Sequence, residues 1–342
     1  MLDQYQMAAV RHGSGPCLCL AGPGSGKTST LVHRIVNLIR EYHIPPHKIL
    51  VVTFTRDAAA EMRSRFLSMS GSSSFVSFGT FHSICFSILK NEPAFNGMHI
   101  LKAPEKRIIY RRTFSGFLDN QRDFCDYDSL EQALGLYRSG GDYAERTKRA
   151  ASVLGISEDG LRKCAERYDR EKKKLNAMDF DDLIELVHTR LKSDRDMLFR
   201  WRERYRYFLV DEMQDMDEKQ FDIIRLLASP EDNVFAVGDD DQSIYAFRGA
   251  APKIMLSFKD YYPEAVVYRL QRNYRSSIRV CEASVGIIKN NRIRYDKGII
   301  PMSSSEGSVN VIECMDPREE ARTVVRLIKE ACNTVAVLYR NR

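Results

Sequence analysis

The stretch CLCLAGPGSGKTSTLVHRIVNLIR, residues 17–40, constrains what this chain can fold into more than any other. Cys17–Leu20 is a short apolar run of the kind that forms a buried strand, and Leu31, Ile35 and Leu38 then recur at helical spacing. Between them lie the small residues Ala21, Gly22, Pro23, Gly24, Ser25 and Gly26, followed by Lys27, Thr28 and Ser29. A strand, a glycine-rich turn and a helix in that order is the context of a P-loop. Loop amides close around phosphates, and the helix N-terminus adds partial positive charge. Lys27 is suited to reach the β- and γ-phosphates, and Thr28 to ligate Mg²⁺. The first glycine of the general pattern is Ala21 here. A glycine-rich turn with no ligand is the plain alternative, and the Gly-Lys-Thr ending weighs against it.

A P-loop needs a second carboxylate for the metal, at the end of another strand. YFLVDEMQD supplies it, with Asp211 directly after the apolar run Phe208–Val210. Glu212 beside it is suited to orient or deprotonate water. FAVGDDDQSIYAFRGA offers a further strand end, where Gln242 is expected to sense the γ-phosphate. Asp239, Asp240 and Asp241 read as a solvated turn. In LQRNYRSS, Arg275 is a candidate arginine finger, and Tyr274 offers a ring face for a base.

The apolar runs Cys17–Ala21, Ile49–Thr53, Tyr207–Val210 and Val234–Val237 are each followed by small or acidic residues and a helical pattern. They predict a parallel sheet with helices on both faces, whose ligands bind beyond the carboxyl ends of the strands. Residues 90 to about 184 read differently, as helices over Pro104–Leu118, Ser129–Arg138, Tyr143–Leu154 and Ser157–Leu175, with Ser157 as an N-cap. Strand-like runs resume at Tyr207, so this block reads as an insertion into the sheet domain. A second α/β unit is expected from Val266, and a loop at residues 71–74. Thr334–Tyr339 reads as a buried strand.

Composition narrows the class of protein. The chain has 342 residues, 44% hydrophobic and 29% charged, enough apolar material for real cores. No apolar run has the roughly 18 residues of a membrane span, and the N-terminus lacks the pattern of a secretory signal. An intracellular protein is therefore expected. The eight cysteines form no CxxC pair and read as reduced, buried thiols, and the seven histidines show no ligand spacing. Net charge is +6, and residues 90–175 hold 18 Lys and Arg against 14 Asp and Glu. That excess fits contact with a polyanion and fits a solvated helix surface equally well.

The motifs taken in order are Leu2–Val10 (LDQYQMAAV), AGPGSGKT, TFTRDAAAEM (Thr53–Met62), GTFHS (Gly79–Ser83), MDFDDL (Met178–Leu183), LVDEMQD (Leu209–Asp215), VGDDDQSIYAFRGA (Val237–Ala250), NYRSS (Asn273–Ser277) and AVLYRNR (Ala336–Arg342). This series resembles the UvrD/Rep/PcrA-type superfamily 1 DNA helicases along the whole chain. The resemblance implies a RecA-like first motor domain (1–89 and 185–265), a helical accessory DNA-binding subdomain inserted at 90–184, and the start of a second RecA-like domain at 266–342. It implies ATP- and Mg²⁺-dependent 3′→5′ movement on single-stranded DNA and at single-strand/duplex junctions, in repair or replication. No membrane partner is implied, and the expected place is the cytoplasm, at the nucleoid. Gln6 matches the family's adenine-reading glutamine. Lys27, Thr28, Asp211, Glu212, Gln242 and Arg275 match the roles argued above, and Tyr274 matches the base-stacking tyrosine. DNA contacts carry over to Phe54, Thr55, His82, Tyr245, Phe247 and Arg248. Aromatic faces stack on unpaired bases of any sequence, although Phe54 also reads as a core aromatic.

Three departures from the family pattern stand out: Arg56-Asp57 replaces Asn-Lys, Phe247 replaces tryptophan, and Met213 replaces an aromatic. None removes a catalytic group. The last family motifs are not found, so the second domain is expected to be incomplete and the chain to be the N-terminal portion of a helicase. Such a portion is expected to bind ATP–Mg²⁺, to hydrolyse it slowly and to unwind poorly. The alternative is an ATP- and single-strand-binding module without productive unwinding. Residues beyond about Leu270 are expected to be the least stable.

Overall fold

The computed structural model describes residues 2–71, 75–90, 92–95, 97–114, 127–138, 142–243, 252–331 and 334–339. Tyr245, Phe247 and Arg248 lie outside them, as does most of the loop expected at 71–74.

Local signals start most elements. Asp3 caps helix α1 (Gln4–Val10) in a capping box, its carboxylate accepting from the Gln6 amide while Gln6 reaches back to the Asp3 N–H. Strand β1 (Cys17–Ala21) runs into helix α2 (Lys27–Arg40). Strand β2 (Ile49–Thr53) leads to α3 (Arg56–Ser70), capped by Thr55, and β3 (Ser77–Thr80) leads to α4 (Phe81–Leu89), capped by Thr80. A short strand β4 (His99–Ile100) opens the helical block α5 (Ala103–Phe114), α6 (Tyr127–Arg138), α7 (Tyr143–Leu154) and α8 (Glu158–Lys174). Ser157 caps α8, with Glu158 and Asp159 in its first turn, as expected. Strand β5 (Ala177–Met178) pairs back on β4 and closes the block. Helices α9 (Phe180–Ser193) and α10 (Arg195–Arg204) return the chain to the sheet at β6 (Tyr207–Val210). After it come α11 (Glu218–Ala228), β7 (Val234–Gly238), α12 (Pro252–Leu256), α13 (Phe258–Tyr261) and β8 (Val266–Leu270).

The sheet is parallel with strand order β3-β2-β6-β7-β1-β8. Because side chains alternate across a strand, each strand feeds two cores. Leu18, Leu20, Leu50, Val52, Phe208 and Val210 pack with residues of α4, α9, α10 and α11 on one face. Cys17, Cys19, Ile49, Val51 and Leu209 pack with Leu31, Ile35 and Leu38 of α2 and Met62 and Phe66 of α3 on the other. Burial on both faces explains why the strands read as unbroken apolar runs. The helical block has its own core, with Ile109, Phe114, Leu134, Leu154, Leu161 and Tyr168 among its members. All six cysteines among the described residues are free, five of them buried.

Arg34 of α2 is 2% exposed, and its partners are carbonyls and a ring. Its guanidinium lies 4.5 Å from the Phe235 ring centre and donates to the carbonyls of His12 and Gly13 just beyond the end of α1. A cation there satisfies carbonyls of the turn after α1, reaches the Val10 carbonyl at its end at 3.4 Å, and ties α1 to the sheet.

Two expectations are corrected. Val266–Leu270, expected to open a second unit, is the sixth strand of the first sheet. It pairs in parallel with β1 from Cys17↔Val266 to Ala21↔Leu270, covering an edge that β1 would otherwise expose. The second correction concerns Thr334–Tyr339, read as a buried strand. These residues are exposed, Leu338 by 94%, and join no ladder among the described residues. A run of β-branched residues needs a neighbouring strand for its N–H and C=O groups before it is a strand.

Beyond β8 the chain forms β9 (Arg272–Asn273), α14 (Ile278–Ile288), β10 (Ile300–Pro301) and α15 (Pro317–Glu330). No described residue after Lys297 is buried. An isolated helix of α15's 14 residues is marginal in water. Amide exchange in residues 303–331 is therefore expected to run at least about a thousand-fold faster than in β1, β6 and β7. Equal protection in hydrogen-exchange mass spectrometry would contradict this.

Candidate nucleotide-binding site

The strand order sets the site. Strands β6, β7 and β1 are adjacent, with Val210 opposite Ala236 and Leu20 opposite Gly238. Their carboxyl ends bring three segments together: the loop 22–26, residues 211–215 and residues 239–242.

In the loop, Gly24 (φ +67°) and Gly26 (φ +82°) adopt the left-handed conformation that other residues resist. Space forbids a side chain as well. A Cβ at Gly24 would lie 2.7 Å from both Asn273 Oδ1 and Arg275 Cβ, and one at Gly26 would lie 2.6 Å from Gln6 Nε2. Ser25 turns its hydroxyl inward to donate to the Gly22 carbonyl at 2.7 Å. Ala21 and Gly22 are buried, Pro23 is exposed, and Thr28 and Ser29 are half-buried in the first turn of α2. Gly26 caps α2 without a side-chain bond, so the cap residue leaves the first amides of the helix open to a ligand.

Lys27 Nζ donates to Glu212 Oε2 at 2.7 Å. Gln214 Nε2 donates to the same oxygen at 2.8 Å. Glu212 itself sits at φ 50°, ψ 50°, a left-handed conformation unusual for a non-glycine residue. Asp211 is 9% exposed, and its Oδ1 is buried without a hydrogen-bond partner among the described residues. Burial first, then the charge of Glu212, pushes its carboxyl up to about 7 against the pull of Lys27. The same causes raise Asp215 to about 6. A buried, unpartnered carboxylate oxygen beside a lysine-bearing anion cradle is the donor chemistry that a hard divalent cation takes. The donor set of Thr28 and Asp211 fits Mg²⁺.

Gln6 donates through Nε2 to the Ser25 carbonyl at 2.8 Å, which seats α1 on the loop. Tyr274, 48% exposed, donates its hydroxyl to Asp3 Oδ2 at 2.6 Å and its N–H to the Gly24 carbonyl at 3.0 Å. Asp3 thus holds both Gln6 and Tyr274. Buried Asn273 accepts the N–H groups of Arg275 and Ser276 through one oxygen at 2.8 Å each. Arg275 is exposed and makes no ion pair among the described residues. Asp3 and Asn273 belong to the motifs Leu2–Val10 and Asn273–Ser277, but the sequence alone assigns neither of them a role.

Gln242 donates through Nε2 to Asp239 Oδ2 at 2.6 Å. The Asp239–Asp241 turn, expected to be solvated, is instead paired with two cations. Lys297, 3% exposed, bonds Asp239 at 2.6 Å and Asp241 at 2.7 Å, and also bonds Asp240. Arg294 forks onto Asp241. Three adjacent carboxylates shed water this far only when cations replace it. Arg294 lies 53 residues from Asp241 and Lys297 lies 58 from Asp239, so no local pattern links the charges.

At the ends of β2 and β3, Phe54 is 41% exposed, so it is not a core aromatic. Thr55 caps α3, accepting from the Ala58 amide at 3.1 Å. His82 stands edge-on to Phe180 at 4.9 Å, and burial lowers its pKa, which favours the neutral imidazole. No helix among the described residues is long and apolar enough to cross a membrane.

Fold and site together define a P-loop NTPase fold: a parallel α/β sheet with a glycine-rich loop and strand-end carboxylates around one cradle. The sequence model of the UvrD/REP helicase N-terminal domain matches residues 2–263, and that of the UvrD-like helicase C-terminal domain matches residues 268–342. The chain belongs to the UvrD/REP helicase family. It is 35% identical over 353 residues to the putative ATP-dependent DNA helicase YjcD of Bacillus subtilis, covering 99% of this chain and 46% of that protein. It is 32% identical over 365 residues to the ATP-dependent DNA helicase PcrA of Staphylococcus aureus, covering 99% of this chain and 48% of the relative. The probable DNA helicase II homolog of Mycoplasma capricolum is 34% identical over 339 residues, 96% of this chain and 46% of that protein. The chain thus spans about half the length of these relatives.

Proposed function

We propose that this chain is the ATP-driven motor part of a DNA helicase that moves 3′→5′ along single-stranded DNA at single-strand/duplex junctions, in DNA repair or replication. Residues 1–89 and 185–265 with β8 would form the first motor domain and residues 90–184 a DNA-contacting accessory block. Residues 271–342 would belong to a second motor domain. The setting would be the cytoplasm, at the nucleoid.

The contact between Lys27 and Glu212 carries this reading, since it joins the phosphate-binding lysine to a carboxylate suited to act on water. Incoming phosphate would compete with Glu212 for the ammonium of Lys27. That exchange would free Glu212 to take a proton from the attacking water. The loop amides and the start of α2 would hold the phosphate oxygens. Gln242 and Arg275 would meet the γ-phosphate, Tyr274 would stack on the base, and Gln6 would read its edge. Mg²⁺, held by Thr28 and Asp211, would neutralise charge on the phosphate oxygens.

Phe54, Thr55 and His82, with Tyr245, Phe247 and Arg248, would receive the DNA strand, stacking on bases at roughly 1–3 kcal/mol each. Such binding tracks the backbone and weakens steeply with salt.

The experiment is ATP turnover by the purified chain, with and without an oligo-dT strand. We expect slow turnover that rises with the strand and that Lys27→Ala lowers by about a hundred-fold or more. Turnover unaffected by Lys27→Ala would overturn the site. A second reading, a nucleotide- and strand-binding module without unwinding, is favoured by the lack of burial after Lys297 among the described residues. Displacement of a 3′-tailed but not a 5′-tailed duplex would decide for the motor.

A further inference from the structure

The segment Arg294–Lys297 lies outside every motif that marks the nucleotide site, yet its side chains end there. Lys297 is 3% exposed, and its ammonium is shared among Asp239, Asp240 and Asp241. The Tyr295 N–H donates to Asp240 Oδ2 at 2.8 Å. On the other side, the Lys297 carbonyl accepts from Gln271 Nε2 at 2.9 Å, fastening the segment to the chain between β8 and β9.

Asp239 is the hinge of the arrangement. Its Oδ1 takes Lys297 at 2.6 Å, and its Oδ2 takes the carboxamide of Gln242 at 2.6 Å. Its N–H donates to Gln214 Oε1 at 2.9 Å, and Gln214 Nε2 donates to the Glu212 oxygen that also binds Lys27. One chain of bonds therefore runs from Lys297 to Gln242 and, by a second branch, to Glu212. Asp239 Oδ1 also accepts the Asp241 N–H at 3.2 Å, and a carboxylate bonded through both oxygens cannot turn without breaking a bond, so the lysine, the shorter and charged donor of the two, helps to set where the Gln242 carboxamide points.

We propose that Lys297 is a positioning residue for ATP hydrolysis. Through Asp239 it orients Gln242, and through Gln214 it steadies Glu212, so that displacement of the 294–302 segment is felt at the hydrolytic carboxylate. This rests on the nucleotide-site reading above. The competing account is a buried ion cluster that only holds the fold together. The two differ in what they move: the first changes kcat, the second thermal stability alone.

The test measures kcat and KM for ATP with saturating oligo-dT, and thermal unfolding, for Lys297→Met, Lys297→Arg, Gln242→Ala and the Lys297→Met/Gln242→Ala double variant. Lys297→Met is expected to lower kcat about ten-fold with KM changed less than about three-fold. Lys297→Arg, which keeps a cation among the three carboxylates, should recover part of the loss. The double variant should be no slower than the slower single, because both changes break one linkage. Losses in kcat that multiply, or a kcat within about two-fold of the parent, would overturn the proposal. Should Lys297→Met fail to fold, Lys297→Met/Asp240→Asn removes one uncompensated carboxylate that does not touch Gln242. The same loss of kcat is expected there, and parental kcat in that folded variant would overturn the proposal. If the parent and Lys27→Ala turn over ATP equally, the nucleotide-site reading fails and takes this inference with it. If the parent is active and Lys297→Met matches it, only this inference fails.

Discussion

Replacing Glu212 by Gln is expected to lower ATP turnover by about 10²–10⁴-fold while nucleotide binding survives. The substitution keeps the shape and one acceptor oxygen, so Gln214 retains a partner. It removes the group able to accept a proton from water. Glu212 also engages Lys27, and without its charge phosphate faces a weaker competitor for the ammonium. KM or the dissociation constant of a fluorescent ATP analogue should therefore stay level or fall. Weakened binding with unchanged kcat would assign Glu212 to ground-state binding and remove it from the chemistry.

Replacing Asp211 by Asn is expected to do two opposite things. Turnover should fall to background, because the oxygen suited to hold the metal loses its charge. Stability measured without added nucleotide or Mg²⁺ should rise. Asp211 is buried with one oxygen unpartnered, and burial beside Glu212 lifts its carboxyl to about 7. A folded-state value above the unfolded one means that the folded protein binds the proton more tightly. The ionised group therefore weakens the fold above pH 7, and this penalty disappears as pH falls through about 4. Asn carries no charge at any pH. Its stabilisation should be on the order of 2–4 kcal/mol at pH 8, shrinking between pH 7 and 4 and absent below. Thermal or urea unfolding at pH 8 and pH 4 measures it. An Asn variant less stable than the parent at pH 8 would show that Asp211 has a bonding partner that outweighs its burial.

Gain of stability with loss of turnover is what a site built for function produces. The strained backbone of Glu212 and the raised carboxyls of Asp211 and Asp215 sit within five residues of one another. Polar groups left under-satisfied in this way cluster where a ligand is meant to complete them.

Much of the fold and of the cradle is legible in local chemistry. The strands at Cys17, Ile49, Tyr207 and Val234 are readable because burial on both faces leaves no polar alternation. The helical block is readable from its caps and apolar spacing, as at Ser157. The loop at residues 22–26 is readable because a backbone at φ +67° and +82° against Asn273 and Gln6 admits glycine and little else.

Other features cannot be read this way. Asp239–Asp241 looks solvated in isolation, since nothing nearby in sequence announces Lys297 and Arg294. Thr334–Tyr339 has strand composition, but a strand exists only where another strand pairs with it, and here none does among the described residues. Val266 reads as the start of a second unit, and nothing local marks Val266–Leu270 as the neighbour of β1.

The sequence alone determined four of the six strands of the sheet, the helical block inserted between them, the position of the glycine-rich loop and which carboxylates follow the strands. Only the tertiary structure decided that β6, β7 and β1 lie side by side and that Lys27 meets Glu212 across 185 residues. It also decided that a lysine from beyond the sheet pairs with the carboxylates of the third strand end. The physical reason is range. Burial and backbone conformation are written in neighbouring residues, whereas strand order and the pairing of buried charges depend on which distant surfaces the packed cores bring into contact.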